Sequence, residues 1–284
     1  FIISNWNEVN NYIDKLSQEI PVPFYNSVDI RESRDKYAPV DNNIYPAGFN
    51  NICLLDLDET SYQIKSFTKQ KSLSSDHWAI LIESHTKNTF YLENLFYLKK
   101  AVLESGVKDC SFISFDENLF DEMDIIYLET ESKFDIEVHH PKVSSGEIYI
   151  GKNKVQAVIL NNDQSKPIDI NWEDLKSPVF PPPKIGWFNR HKIDHFEKYH
   201  HIASDFSTHF DIDQNLFSAK FKAFHQVNFS TKESFDNLAK EVDTFKLQLQ
   251  KNQKIFVKAS KGTYGMGIQV VSNGKDILNM NRKV

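Results

Sequence analysis

The sequence predicts an α/β protein. Residues 1–175 read as an N-terminal α/β domain with a mainly parallel sheet, and residues 176–284 read as a helical connector leading into a glycine-rich β-hairpin. Three observations predict this. In the first half, strand-length apolar runs alternate with a helical apolar pattern, the order of a βαβ unit. Pro178, Pro181, Pro182 and Pro183 stiffen the stretch 176–184 and mark a domain boundary. Residues 257–271 then give a strand carrying Lys258, a short loop with Gly262, Gly265 and Gly267, and a second strand.

The elements follow in order. The apolar runs 52–57 and 77–83 have strand length, and the polar, Ser- and Lys-rich stretch 60–76 reads as an exposed loop. Tyr91, Leu95, Leu98 and Val102 fall on one face of a helix, with Gly106 placed to cap its C-terminus. Runs 110–115 and 125–128 are further strands, and 147–150 with 155–160 reads as a hairpin around Gly151 and Asn153. Beyond the prolines, Phe196, Tyr199, Ala203, Phe206 and Phe210 make one amphipathic helix with Asp194 as its N-cap. Phe235, Leu238, Val242, Phe245 and Leu249 make another, opened by a Ser230-x-x-Glu233 capping box.

Composition narrows the class. With 284 residues, 40% hydrophobic and 25% charged, the chain can bury about two cores. A formal charge of −6 gives no global reason to bind nucleic acid or an acidic membrane. Two cysteines, Cys53 and Cys110, do not make a disulfide framework and fit a reducing compartment. No apolar run approaches a spanning helix and no signal peptide is visible, so the expected location is the cytoplasm. The chain begins at Phe1 and stops at Val284, soon after the glycine hairpin. With no floor for a phosphate site before residue 256, it reads as a piece truncated at both ends, more seriously at the C-terminus.

The hairpin is the most informative segment. Glycine backbone approaches phosphate oxygens closely and presents N–H groups to them, while Lys258 and Lys261 add positive charge. The spacing matches neither GxxxxGK[ST] nor a GxGxxG that opens a helix. A hairpin folding over a nucleotide and a plain hairpin whose glycines serve turn dihedrals are the two readings left open.

Residues 23–51 form a second constellation. Asp29, Arg31, Asp41, Asn42, Asn43, Asn50 and Asn51 stand among aromatics, Pro39, Pro46 and Gly48. A free amino acid needs a cation for its carboxylate, an anion for its ammonium and amides for orientation, and that inventory is present. Asn161, Asn162 and Asp163 follow an apolar strand, as Glu83, His85, Lys87 and Asn88 do, at the strand ends where open α/β sheets bind ligands. Each group equally suits a turn or a helix cap. His191 and His195 share a helix face, but the acidic base and third ligand of a zinc site are missing. Arg190, Lys192 and His195 fit an anion-contacting cluster better, with a solvated charged face as the alternative.

Taken together, these segments resemble one family. The stretch 258–267 resembles the lysine strand and glycine loop of ATP-grasp ligases. The order of 38–51 (containing Asp41-Asn42-Asn43), 160–163, 186–196 and 262–267 is similar to the proteobacterial GshA-type glutamate–cysteine ligase, over almost the whole chain. The stretch 278–283 matches more loosely. The resemblance implies that the hairpin begins an ATP-grasp-like region, truncated at the C-terminus, and that ATP and Mg²⁺ serve joining of the glutamate γ-carboxylate to the cysteine amine through an acyl phosphate. It further implies that Lys258 contacts the α/β-phosphates and that Gly262, Thr263, Tyr264, Gly265, Met266 and Gly267, with Lys261, cover the β/γ-phosphates. Arg31, Asp41, Asn42, Asn43 and Asn50 would hold an amino acid, Arg190 and Lys192 would stabilise transferred phosphate, and the metal ligands would lie beyond Val284. The alternatives are another ATP-grasp amino-acid or peptide ligase, such as a glutathione synthetase, and a non-catalytic nucleotide-binding protein.

Overall fold

A continuous apolar run is stable as a strand when both faces of its sheet are covered. His77–Ile82 obeys that rule, with all six residues buried. The computed structural model describes residues 1–284 except 21, 34–35, 85–86, 165–166, 226, 229, 251–252, 262–266 and 281–284. The predictions made for His85, Gly262, Thr263, Tyr264, Gly265 and Met266 therefore lie outside the described residues.

In chain order the elements begin with helix α1 (Trp6–Glu19), strands β1 (Ser27–Ser33) and β2 (Lys36–Asn43), and helix α2 (Leu54–Gln70). Next come β3 (His77–Ile82), α3 (Thr89–Glu104), β4 (Asp109–Ile113), β5 (Ile125–Glu129) and β6 (Asp135–His139). They are followed by β7 (Lys142–Ser144), β8 (Glu147–Ile150), β9 (Asn153–Lys154), β10 (Ala157–Asn161) and β11 (Val179–Phe180). The last are α4 (Lys192–Phe210), α5 (Lys232–Lys246), β12 (Ile255–Lys258), β13 (Ile268–Val271) and α6 (Gly274–Leu278).

The chain divides into two compact units. Unit 1 is Phe1–Ser27 with Asn43–Gly186, and unit 2 is Val28–Asn42 with Trp187–Val284. The proline stretch 176–184 thus ends unit 1, and the segment 28–42, remote in sequence, belongs with the C-terminal residues.

Unit 1 is built on a six-stranded sheet in the order β11-β10-β3-β4-β6-β5. Its pairings are parallel except that of the edge strand β5 with β6, so the expected mainly parallel sheet is present. Alternation along the strands divides the core. Trp78, Ile80, Ile82 and Ile159 pack on one face with Leu57 and Ile64 of α2 and Leu92, Leu95 and Leu98 of α3. Ala79, Leu81, Val158 and Leu160 face Tyr45, Ile148 and Val155 on the other. Gly106, at φ +101, follows α3 as the glycine signal required.

Several local expectations fail. The apolar run 52–57 is not a strand, and 60–76 is not a loop as far as Gln70: Leu54–Gln70 is one helix. Its buried residues are Leu57, Ser61, Ile64 and Thr68 at helical spacing, while Leu54 and Leu55 are exposed. Ser61 and Thr68 can be buried because their hydroxyls donate to the carbonyls of Leu57 and Ile64 at 3.1 and 2.8 Å. The 147–160 hairpin is also shorter than expected. β8 pairs with the two residues of β9 across Gly151. The Gln156 N–H then donates to His77 O at 2.7 Å, and β10 runs parallel to β3.

Unit 2 has a small core of Phe235, Leu238, Ala239, Val242, Ile255, Val271 and Ile277. β12 and β13 pair antiparallel, as the hairpin pattern predicts. Asp194 is not the N-cap of α4; His191 holds that position and Asp194 lies in the first turn. α5 starts after Thr231 with no side-chain cap, so the Ser230/Glu233 box does not form, and the helix ends before Leu249. A capping box is made instead at α6 by Asn273 and Asp276. Among the described residues no helix is long and apolar enough to cross a membrane.

Candidate functional site

Two polar constellations interrupt these apolar frameworks, one in each unit. In unit 1, β3 leads to its neighbour β4 on one side, and β10 leads to β11 on the other. The carboxyl ends of β3 and β10 are thus the point where the strand order reverses, the position at which open α/β sheets leave a crevice for ligands. Glu83 follows β3 there, and Asn162 and Asp163 follow β10.

Most amides at this end serve the fold. Asn161 is 3% exposed. Its Nδ2 donates to Tyr25 Oη at 3.0 Å and to Pro46 O at 2.9 Å, and its Oδ1 accepts from Asn94 Nδ2 at 3.1 Å. Asn94 Oδ1 in turn accepts the Gly48 and Phe49 N–H groups at 2.8 and 3.1 Å. Asn162 Nδ2 donates to Ile82 O at 3.0 Å, and its Oδ1 accepts the Gln164 N–H at 2.8 Å. Asn161 and Asn162, both expected to contact substrate, take part in this internal network, as amides so deep in the sheet end must be hydrogen-bonded. Asn50 and Asn51 lie in the 3₁₀ turn Phe49–Asn51, with Asn51 exposed. Asn43, at the end of β2, is half-buried.

The carboxylates are placed differently. Glu83 accepts the Asp163 N–H through Oε1. Burial, and then the Asp163 carboxylate, push the Glu83 carboxyl well above the usual carboxylate range. The Glu83 N–H donates to Tyr91 Oη at 2.9 Å, and that hydroxyl donates to Asn161 O at 2.7 Å. A carboxylate pair of this kind favours a proton or a cation between its members. A cavity of about 490 Å³ elsewhere in unit 1, beside Phe115, His140 and Asp169, includes neither carboxylate.

In unit 2 the predicted cations come together. Lys192 is buried and pairs with Asp41 at 3.2 Å. Its ammonium also sits 4.4 Å from the Trp187 ring centre, and Arg190 lies over the same ring at 4.6 Å. Arg190 Nη2 donates to Asn42 Oδ1 at 3.4 Å. Lys258, the last residue of β12, donates to Val40 O at 2.8 Å and lies 5.7 Å from the Phe196 ring centre. Burial holds its ammonium below the ordinary lysine range against the pull of Asp41, and Lys192 and Arg31 lower it further. Asp29 and Arg31 are exposed on β1, and their charges act on Lys258.

Two backbone hydrogen bonds and one side-chain contact continue the cluster toward the glycine loop. The Lys192 N–H donates to Ser260 O at 2.8 Å, and His191 Nδ1 lies 3.4 Å from Ser260 Oγ. The Ala259 N–H donates to Gly267 O at 3.0 Å. Gly267 has φ +71, and a Cβ on it would stand 2.8 Å from that of Ala259, so the close of the loop requires glycine. Lys261 is exposed at the start of the loop. The arrangement concentrates cations around one paired carboxylate, which suits an anion of several charges.

Sequence reasoning did not identify Trp187 as the shared platform of Arg190 and Lys192, although the spacing W-x-x-R-x-K carries that signal. Tyr25, Tyr91 and Asn94 were missed because their partners are distant in sequence. Among the described residues no three His, Cys, Asp or Glu side chains come together as metal ligands. No step below passes through a metal.

The chain resembles known proteins in the following way. No curated protein matches it. A crystal structure described as a candidate gamma-glutamylcysteine synthetase from Methylobacillus flagellatus KT superposes with a TM-score of 0.88 at 28% identity, covering 99% of this chain and 68% of that one. The family model described as GshA, glutamate-cysteine ligase, matches residues 1–284. A match over that whole length means that the chain belongs to the glutamate–cysteine ligase family.

Proposed function

We propose that this protein joins the γ-carboxylate of L-glutamate to the amine of L-cysteine at the expense of ATP, through an acyl phosphate and with an ATP-grasp-like use of unit 2. The observation that carries the reading is the gathering of Lys258, Lys192 and Arg190 in unit 2, with Lys258 at the end of the strand that enters the glycine loop. Family membership supports the amino-acid substrates.

The chemistry requires such a cluster. A carboxylate is a poor electrophile, so one γ-carboxylate oxygen attacks the γ-phosphorus of ATP, and the β–γ bridging bond breaks to release ADP. The cysteine amine then attacks the acyl carbon, inorganic phosphate leaves with the former carboxylate oxygen, and the amine loses its proton. Cations positioned over the phosphates stabilise the charge that builds in the first step. Lys258 and Arg190 contribute that charge directly, and Asp41 fixes the ammonium of Lys192. The acyl phosphate must be kept from water until the amine attacks.

In unit 1, Glu83 and Asp163 hold the ammonium of an amino-acid substrate. A bound ammonium takes the place of the proton that burial and Asp163 impose on Glu83.

The test is equilibrium binding of ATP to the wild type and to Lys258→Ala, paired with ADP release measured with glutamate and cysteine offered separately and together. The expected result is loss of ATP affinity in the variant, and sustained ADP release by the wild type only with both amino acids. Unchanged ATP affinity in the variant refutes the role of Lys258. Release that ignores cysteine refutes the acceptor.

A further inference from the structure

His195 lies on α4 three residues beyond Lys192. Its ring packs edge-on against Phe196, with centres 5.4 Å apart, and stacks with Tyr199 at 6.2 Å. The Lys258 ammonium lies 5.7 Å from the Phe196 ring centre. In this setting His195 Nε2 is buried and has no hydrogen-bond partner among the described residues. Native folds rarely leave a buried ring nitrogen unpaired, because doing so costs about 1–3 kcal/mol.

The surroundings indicate what the nitrogen awaits. Burial, and then the charge of Arg190, hold the imidazole below its ordinary range, with Lys258 and Lys192 acting in the same direction and Asp41 opposing them. The ring is therefore neutral at pH 7, and a neutral imidazole offers one N–H donor and one acceptor. Were Nε2 the acceptor, the lysine and arginine donors of the cluster would be suitable partners, yet no hydrogen bond reaches it. As a donor it needs an acceptor, and the carboxylate of the cluster, Asp41, already accepts from Lys192 and from the Asn42 N–H.

We propose that His195 Nε2 is a further ligand-binding group of the unit 2 anion site, donating a hydrogen bond from a neutral imidazole to an oxygen of a bound polyphosphate. The inference rests on the phosphate reading of that cluster and adds a neutral donor to its cations. A neutral donor binds the oxygen without adding a fourth positive charge, which Arg190, Lys192 and Lys258 would oppose.

The experiment titrates ADP into the wild type, Lys258→Ala, His195→Phe and His195→Gln by calorimetry, and follows the His195 ring nitrogens of the wild type by ¹⁵N NMR. Phenylalanine removes an unpaired polar atom from an aromatic setting, so His195→Phe keeps or gains thermal stability while losing about tenfold in ADP affinity, the worth of one hydrogen bond to a charged group. Glutamine, which carries an amide donor of similar reach, restores affinity to within about threefold. In the wild type, ADP moves the Nε2 resonance and raises the pH at which the ring protonates, because a bound anion favours the imidazolium.

Wild-type affinity in His195→Phe together with an unmoved Nε2 resonance overturns the inference, even where Lys258→Ala loses ADP. A wild type that does not bind ADP overturns both this inference and the phosphate reading. A misfolded His195→Phe leaves the NMR titration and the glutamine variant to decide.

Discussion

The Asp41–Lys192 pair gives the most direct test of how the cationic cluster is held. Asp41→Asn leaves the side-chain volume nearly unchanged and removes the countercharge of an ammonium whose side chain is 9% exposed. Breaking a buried pair by deleting one partner costs about 3–5 kcal/mol, because the remaining charge is uncompensated. Two features reduce that figure here. The Asp41 side chain is 27% exposed, so water reaches the vacated position, and Lys192 keeps the face of Trp187 at 4.4 Å, worth about 1 kcal/mol. The expected loss is about 2–3 kcal/mol. Lys192→Met leaves the better-hydrated partner and keeps an unbranched stem on Trp187, so it costs about 1 kcal/mol. The double variant buries no charge and also costs about 1 kcal/mol, which gives a coupling of about 2–3 kcal/mol. Hydrogen exchange of the most protected amides of α5 and β12 reports the opening of unit 2 and closes the cycle. Losses that add to within about 0.4 kcal/mol would refute the reasoning, since independent sites behave that way.

Two further outcomes follow from unit 1. The Glu83 carboxyl is raised above its ordinary value of 4.5 toward about 8. The folded state therefore binds the proton more tightly than the unfolded state in that window, and the contribution of this group, fully present below pH 4.5, is lost as pH rises through the folded value. Glu83→Gln, which stays neutral and still accepts the Asp163 N–H, is expected to match the wild type near pH 5 and exceed its unfolding free energy by roughly 1 kcal/mol or more at pH 8. A stability difference that does not widen with pH would count against the raised carboxyl. Asn161→Ala abandons hydrogen bonds to Tyr25, Pro46 and Asn94 in a buried site, and is expected to cost about 2–4 kcal/mol. Chemical denaturation measures that loss, and a cost under about 0.5 kcal/mol would show that the network does not hold the 46–49 turn.

The mainly parallel sheet and the antiparallel pairing around Lys258 were legible in the sequence, because each is written in local periodicity or in residues with special backbone needs. His77–Ile82 is buried throughout as a two-faced strand must be, and Gly106 and Gly267 take the positive φ that glycine permits. Local pattern misled where a polar residue satisfied itself: Ser61 and Thr68 disguised α2 as a loop by hydrogen-bonding to their own helix. It also misled at β10, whose partner β3 lies some 80 residues away, whereas a hairpin was expected with β8 nearby. The partners of the candidate side chains emerged from the folded chain and not from the sequence. The amides of Asn161 and Asn162 hydrogen-bond within unit 1, Glu83 is paired with Asp163, and the segment 28–42 joins residues 187–284 so that Asp41 meets Lys192 and Val40 receives Lys258. These outcomes turn on burial and on contacts between residues far apart along the chain, and a linear reading of residue types carries neither.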